Sequence, residues 1–262
     1  MMSAKLDIDR LSDLPEALRL HILGYLNAKQ AVQTSILSKT WVSLWTGIPV
    51  LKLNYLDFGD DKVTMFDKFV TNVLCRRDSL AKLDRLKFIH VFQDNLDSVF
   101  DYACLHGVKQ LEASIKVAYG RDWPVSLCDT LTSLKLQAHY SYMRFRSLVS
   151  GSISFKNLKV LYLIHAIITE ADLFSGFPVL ESLTLKLCKF QFVMKVKVSR
   201  FSSVKSLTVS SIIVHILFLF PDELARQCSP FSELKDLKLD HSNHSCLLHP
   251  SWLQSPRSRL NL

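Results

Sequence analysis

The chain has 262 residues, 48% hydrophobic and 21% charged, so it holds apolar mass for one or two folded domains and is too rich in core formers to stay disordered. Leucine takes 44 positions and glycine only 7, and the nearest two glycines are Gly47 and Gly59, which excludes both G-x-G-x-x-G and G-x-x-x-x-G-K nucleotide loops. The formal net charge of +8 comes from basic residues scattered along the chain, densest at Arg76, Arg77, Lys82, Arg85 and Lys87, with no basic arm of the kind that tracks phosphates.

Nucleic acid is therefore not the expected partner. The six cysteines, at 75, 104, 128, 188, 228 and 246, form no C-x-x-C and no disulfide framework, so reduced and mostly buried thiols are expected. Met1–Arg10 lacks the apolar stretch of a signal peptide. The longest apolar run, Ile212–Phe220, is broken by His215 and stopped by Pro221, short of the ~20 residues of a membrane span. The cytoplasm and/or nucleus is the expected location, with no membrane contact.

From Leu11 to Ile48 the apolar spacing is helical. Pro15 reads as the first residue of a helix, with Asp13 and Glu16 at the positive end of its dipole. Leu14, Leu18 and Ile22 recur every four residues, Leu23 and Leu26 widen the stripe, and Asn27 reads as the stop. Ala31, Val32 and Ile36 predict a second short helix. Ser38 as N-cap, followed by Trp41, Leu44, Trp45 and Ile48, predicts a third, ended by Pro49. So small a unit leaves much of its surface wet, so its apolar side chains, the two tryptophans above all, must face either a partner or the rest of the chain.

Asp9-Arg-Leu-Ser-Asp-Leu-Pro-Glu16, Ile22-Leu23-Gly-Tyr-Leu26, Lys29 through Trp41, and Leu44-Trp45 resemble the F-box of plant F-box/leucine-rich-repeat proteins. The resemblance runs from residue 9 to 53. It implies binding to a Skp-type adaptor, and through it to the cullin scaffold of an SCF ubiquitin ligase. It assigns the adaptor surface to Leu14, Pro15, Leu18, Ile22, Leu23, Leu26, Val32, Leu37, Trp41, Leu44 and Trp45. Two positions depart from the family pattern: Asn27 stands where a proline is common, and Thr40 where an arginine precedes the tryptophan. Neither removes an apolar anchor.

Beyond residue 50 the frame L-x-x-L-x-L recurs with substitutions, starting at Leu83, Val108, Leu131, Leu158, Leu180, Val204 and Leu234, and Ile48/Leu51/Leu53 begins the series. The steps of 25, 23, 27, 22, 24 and 30 residues match the leucine-rich-repeat period of ~20–29. Each unit supplies one short strand that buries its apolar side only against a neighbour, so a solenoid follows. The repeat's closing Asn or Cys is present only at Cys188, which predicts irregular turns. Phe66–Leu74 and Leu96–Leu105 have helical spacing and are expected on the convex side. The fold class is thus an α/β repeat: a three-helix F-box (8–50), an irregular leucine-rich-repeat solenoid with parallel strands on the concave face (51–240), and a C-terminal segment (241–262) that resembles the incomplete start of an FBD module.

Strand alternation places the residues between the leucines on the concave face. Candidate partner-binding residues there are Arg85, Lys87, Glu112, Lys135, Val160, Tyr162, Ile164, Thr184 and Lys186. Val160, Tyr162 and Ile164 are the one apolar set, read as a hot spot with Tyr162 as anchor, or else as a place covered by a loop or slipped in register.

Catalytic patterns are lacking. Ser79-Leu-Ala-Lys82 and Ser232-Glu-Leu-Lys235 match S-x-x-K without the partner motifs such a site needs. His241, His244, Cys246 and His249 match no standard zinc spacing and read as a polar loop. Taken with that lack of catalytic patterns, the F-box resemblance implies a non-enzymatic substrate receptor without cofactor or metal, recruiting a protein substrate for ubiquitin-dependent degradation. The alternative is a repeat scaffold or inhibitor that binds a protein partner without a ligase.

Overall fold

A computed structural model describes residues 10–59, 62–91, 96–115, 128–139, 143–145, 155–168, 177–190, 203–210 and 232–240. The first helix, α1, spans Glu16–Leu23, with Pro15 just outside it as an extended N-cap residue rather than its first helical residue. Asn27 is a start, not the expected stop. The helix ends before Gly24, and Asn27 opens α2 (Ala28–Gln33) with a capping box. Its side chain accepts the Gln30 amide at 2.8 Å, and its own amide donates to Gln30 Oε1 at 3.2 Å. The departure from proline thus gives the second helix a side-chain cap.

The expected third regular helix does not form. Residues 39–43 are turns, followed by one 3₁₀ turn at Leu44–Gly47. Ser38 does not cap an amide, because its hydroxyl bonds those of Ser12 and Thr40, each at 2.9 Å. Hydroxyl side chains that find such partners compete with helical backbone bonding. Ile36, expected on an apolar stripe, lies in a second 3₁₀ turn and is exposed.

Eleven strands follow in the described residues: β1 (Val50–Asn54), β2 (Arg85–Val91), β3 (Gln110–Ile115), β4 (Ser133–Ala138), β5 (Met143–Phe145), β6 (Val160–Ile164), β7 (Ala166–Ile168), β8 (Ser182–Lys186), β9 (Lys189–Phe190), β10 (Ser206–Ser210) and β11 (Asp236–Asp240). Helices α3 (Val63–Arg76) and α4 (Leu96–Leu105) occupy the connections flanking β2, where the spacing predicts them. The main sheet is all parallel, with the order β1-β2-β3-β4-β6-β8-β10-β11. None of the described helices is long and apolar enough to cross a membrane.

Every predicted repeat frame supplies a rung. Leu51, Leu86, Leu111, Leu134, Leu161, Leu183, Leu207 and Leu237 lie side by side in register. All are buried except Leu237 on the last strand, which is exposed. A second row runs Leu53, Phe88, Ala113, Leu136, Leu163, Leu185, Val209 and Leu239. Each large buried side chain contributes roughly 1.5–3 kcal/mol, and stacking is the only way a two-leucine strand can collect it. The backbone repeats as well: the carbonyls of Pro49, Asp84, Lys109, Thr132, Lys159, Glu181 and Lys205 each accept two consecutive amides from the next rung.

The irregular turns resolve partly into a second parallel ladder, β5-β7-β9. It requires left-handed backbone at His165 (φ 54°) and Leu187 (φ 51°), a conformation that costs side-chain-bearing residues about 1–2 kcal/mol. Two bonds offset the cost at His165: its amide donates to Lys186 O at 3.1 Å, and its Nδ1–H donates to Ala138 O at 2.7 Å. Cys188 closes its repeat as its position predicts. The buried Sγ lies 3.5 Å from Leu163 O and 3.4 Å from Lys186 O, and burial pushes the thiol up to about 12. Cys128 is also buried, Cys104 half-buried and Cys75 exposed, while Cys228 and Cys246 lie outside the described residues.

The N-terminal unit is built onto the first rung. Leu23, Ala28, Ala31, Trp41, Leu44, Trp45 and Ile48 belong to the same buried core as the strand leucines. Lys52 Nζ donates to Gly24 O at 2.9 Å and Tyr25 O at 3.0 Å, at the carbonyl end of α1 where a cation is favoured. The buried Arg77 guanidinium donates to Ile48 O at 2.7 Å, and its pKa is lowered by burial, an effect that Tyr102 opposes.

Candidate binding surfaces

The apolar residues of the N-terminal unit divide into two sets. Leu23, Trp41, Leu44 and Trp45 are buried, so these four of the expected adaptor contacts are core residues of the chain itself. That burial has a physical cause: the first repeat supplies the surface that the small bundle lacks, and Trp41 Nε1 donates to Ser12 Oγ at 3.2 Å. Leu14, Leu26 and Val32 are half-buried. Pro15, Leu18, Ile22 and Leu37 are exposed, with Leu18 and Ile22 one turn apart on α1. Sequence reasoning missed Leu11, Tyr25, Ile36 and Val42, which are also exposed. The four-residue period marks a stripe, but it does not say which edge of the stripe the rest of the fold covers.

The second surface is the polar face of the main sheet. Lys52, Lys87, Glu112, Lys135, Tyr162, Thr184, Thr208 and Lys238 stand in one register row across it. Glu112 bonds Lys87 through Oε2 and Lys135 through Oε1, both at 2.8 Å. Burial pushes the Glu112 carboxyl up, but the two lysine bonds outweigh it and hold the pKa below its ordinary value. Arg85, exposed, donates from Nε to Gln110 Oε1 at 2.7 Å.

Tyr162 is not the bare hot spot the sequence suggests. The register does not slip there, and the half-buried ring has Lys135 Nζ at 5.2 Å and Lys186 Nζ at 6.0 Å from its centroid, within cation–π range. Val160 is exposed and Ile164 half-buried. Thr184, expected as a contact, is buried beside Tyr162 in register. Lys186 pairs with Asp240 at 2.8 Å, and that bond raises its pKa. Lys52 and Asp240 belong to this face but were not among the expected contacts. For Lys52 the signal was present, since Ile48/Leu51/Leu53 puts residue 52 at the same frame position as Lys87.

Among the described residues no group of three His, Cys, Asp or Glu side chains is placed to hold a metal ion. The His241, His244, Cys246 and His249 cluster and the FBD-like segment 241–262 lie outside them.

A small helical unit whose core is shared with the first rung of a leucine-rich parallel stack defines a repeat protein. The F-box domain family profile matches residues 11–53. The chain is 34% identical over 223 residues to an F-box protein of Arabidopsis thaliana, a match covering 78% of this chain and 52% of the relative. It is 28% identical over 192 residues to a putative F-box/LRR-repeat protein of the same plant (71% of this chain, 39% of the relative). With a putative F-box/FBD/LRR-repeat protein, also from Arabidopsis thaliana, it shares 33% identity over 211 residues (77% and 47%). The matches thus span about half or less of these relatives' lengths. No solved structure gives a significant match. The chain is an F-box/leucine-rich-repeat protein, with its F-box at the N-terminus and its repeats in the parallel sheet.

Proposed function

We propose that this chain is the substrate-receptor subunit of an SCF-type ubiquitin ligase. Its F-box holds a Skp-type adaptor, and through it a cullin scaffold, while the polar face of the repeat sheet holds the protein to be ubiquitinated. The chain performs no bond chemistry. It raises the effective concentration of the substrate at the ligase by holding both at once.

The observation that carries this reading is the exposed apolar set Leu18, Ile22 and Leu37 on a domain whose tryptophans already close its core. An apolar face left in water on a well-packed unit is a surface for a partner. Co-purification with a Skp-type adaptor tests it. The parent chain retains the adaptor, and the double variant Leu18→Asp/Ile22→Asp loses it while unfolding at the same denaturant midpoint. A parent chain that elutes without the adaptor overturns the proposal. The burial of Trp41, Leu44 and Trp45 within the chain favours a second reading, a repeat scaffold that needs no adaptor to be folded. The same experiment separates the two.

A further inference from the structure

The polar face is electrostatically lopsided. Its β1–β4 end carries Lys52, Arg85, Lys87 and Lys135 against the single carboxylate Glu112, among the described residues. At the β8–β11 end, Lys186 and Lys238 are balanced by Asp236 and Asp240. Adjacent strands lie ~4.8 Å apart, so the four cations fall within one short band across the sheet. Glu112 divides one negative charge between two lysines, and the Arg85 bond goes to a neutral amide. The rim adds to the excess, since Asp84 sits between Lys82 (3.2 Å) and Lys109 (3.8 Å). Crowding of like charge is visible at Lys52, whose pKa is lowered first by burial and then by Lys87 and Arg85. An anion placed here relieves that repulsion as well as making its own contacts.

We propose that the β1–β4 end of the polar face docks an acidic segment of the recruited protein, whose Asp and Glu side chains meet Arg85, Lys87 and Lys135. This rests on the reading that the polar face is the substrate surface, and it names the substrate's chemistry. A peptide fits better than nucleic acid for a geometric reason. Glu112 lies in the middle of the band, and a peptide can set an uncharged residue opposite it, whereas a phosphate backbone carries charge at every step. The aromatic ring at hand, Tyr162, already has two lysine ammonium groups against it, so it is no open stacking platform for bases.

The test titrates the full chain, with adaptor bound if it binds, against three fluorescein-labelled probes at low salt. These are a Glu-Ser repeat peptide, its Gln-Ser counterpart and a short oligothymidylate, read by fluorescence anisotropy. The Glu-Ser peptide is expected to bind best and to weaken as salt is raised. Arg85→Glu and Lys87→Glu should each weaken it by about fivefold, with Lys68→Glu, exposed on α3 and outside the polar face, leaving it unchanged. Because Lys87→Glu also places an acid beside Glu112, the Arg85→Glu result is the cleaner of the two. Equal binding of the Gln-Ser peptide, tighter binding of the oligothymidylate, or unchanged affinity in Arg85→Glu overturns the inference. Adaptor retention is read on the same samples: if it persists while peptide binding fails, only this inference falls, and if it fails, the ligase reading falls with the peptide result standing alone.

Discussion

Trp41 and Leu18 lie in the same F-box and are both large and apolar, yet their burial predicts opposite phenotypes. Trp41 is 2% exposed, packed in the shared core, and bonded through Nε1 to Ser12. Trp41→Ala removes that packing and leaves a cavity, at a cost of ~3–5 kcal/mol. Against a total stability of about 5–15 kcal/mol, this is a large fraction. Leu18 is 50% exposed, so Leu18→Ala should change stability by about 0.5 kcal/mol or less while weakening the adaptor complex. Urea unfolding followed by circular dichroism, paired with an adaptor titration on each variant, separates the two effects. If Trp41→Ala abolishes adaptor binding with an unchanged unfolding midpoint, Trp41 is a contact residue and the division of this domain into core and surface is wrong.

Three further outcomes follow from particular contacts. Asn27→Ala removes the side-chain half of the capping box and should cost about 1 kcal/mol, and an unchanged midpoint would contradict the cap. Glu112→Gln should destabilise the protein at neutral pH by about 0.5–1 kcal/mol for these part-exposed pairs. The Glu112 pKa is depressed in the folded state, so its contribution is present above the unfolded value and is lost as pH falls through the folded one. Parent and variant should therefore differ at pH 7, draw together as the pH falls below the ordinary value of 4.5, and converge below the depressed folded-state value; a gap that persists below that value refutes the ion pairs as its source. Deleting residues 1–49 strips Ile48, Trp45 and α2 from the first rung and uncovers Leu51 and Leu53. The shortened chain should aggregate or lose cooperative unfolding. A soluble monomer with the parent's transition would show that the repeats do not need the F-box.

That last expectation bears on function. The Pro49 carbonyl already makes the paired acceptance that recurs at every later rung, and Lys52 and Arg77 tie the first repeat back to the N-terminal unit. The F-box thus serves as the starting cap of the stack, which a solenoid needs to cover its terminal rung. The exposed apolar residues on α1 and the polar face of the sheet consequently hang on one continuous core, with no free linker between Asn27 and Asn54.

The repeat register was legible in one dimension. A strand's alternation and the recurring leucine frame specify which side chain points inward, and a one-residue slip would turn every leucine into water. For the same reason the eight rungs and the helices α3 and α4 fall where periodicity places them. The charge pairs across the polar face follow from that register, since Lys87, Glu112 and Lys135 occupy one frame position on successive strands. Other features depended on neighbours distant in the chain. Leu18 and Leu23 share one helix and one stripe, but which of them is covered depends on where the first repeat folds back. Asn27 reads equally as an end or a beginning until Gln30 is seen to return its hydrogen bond. His165 and Leu187 carry no local sign of left-handed backbone. At His165 that conformation is held by the carbonyls of Ala138 and Lys186 on adjacent rungs, and both residues lead into the β5-β7-β9 ladder, contacts that do not exist until the stack has assembled.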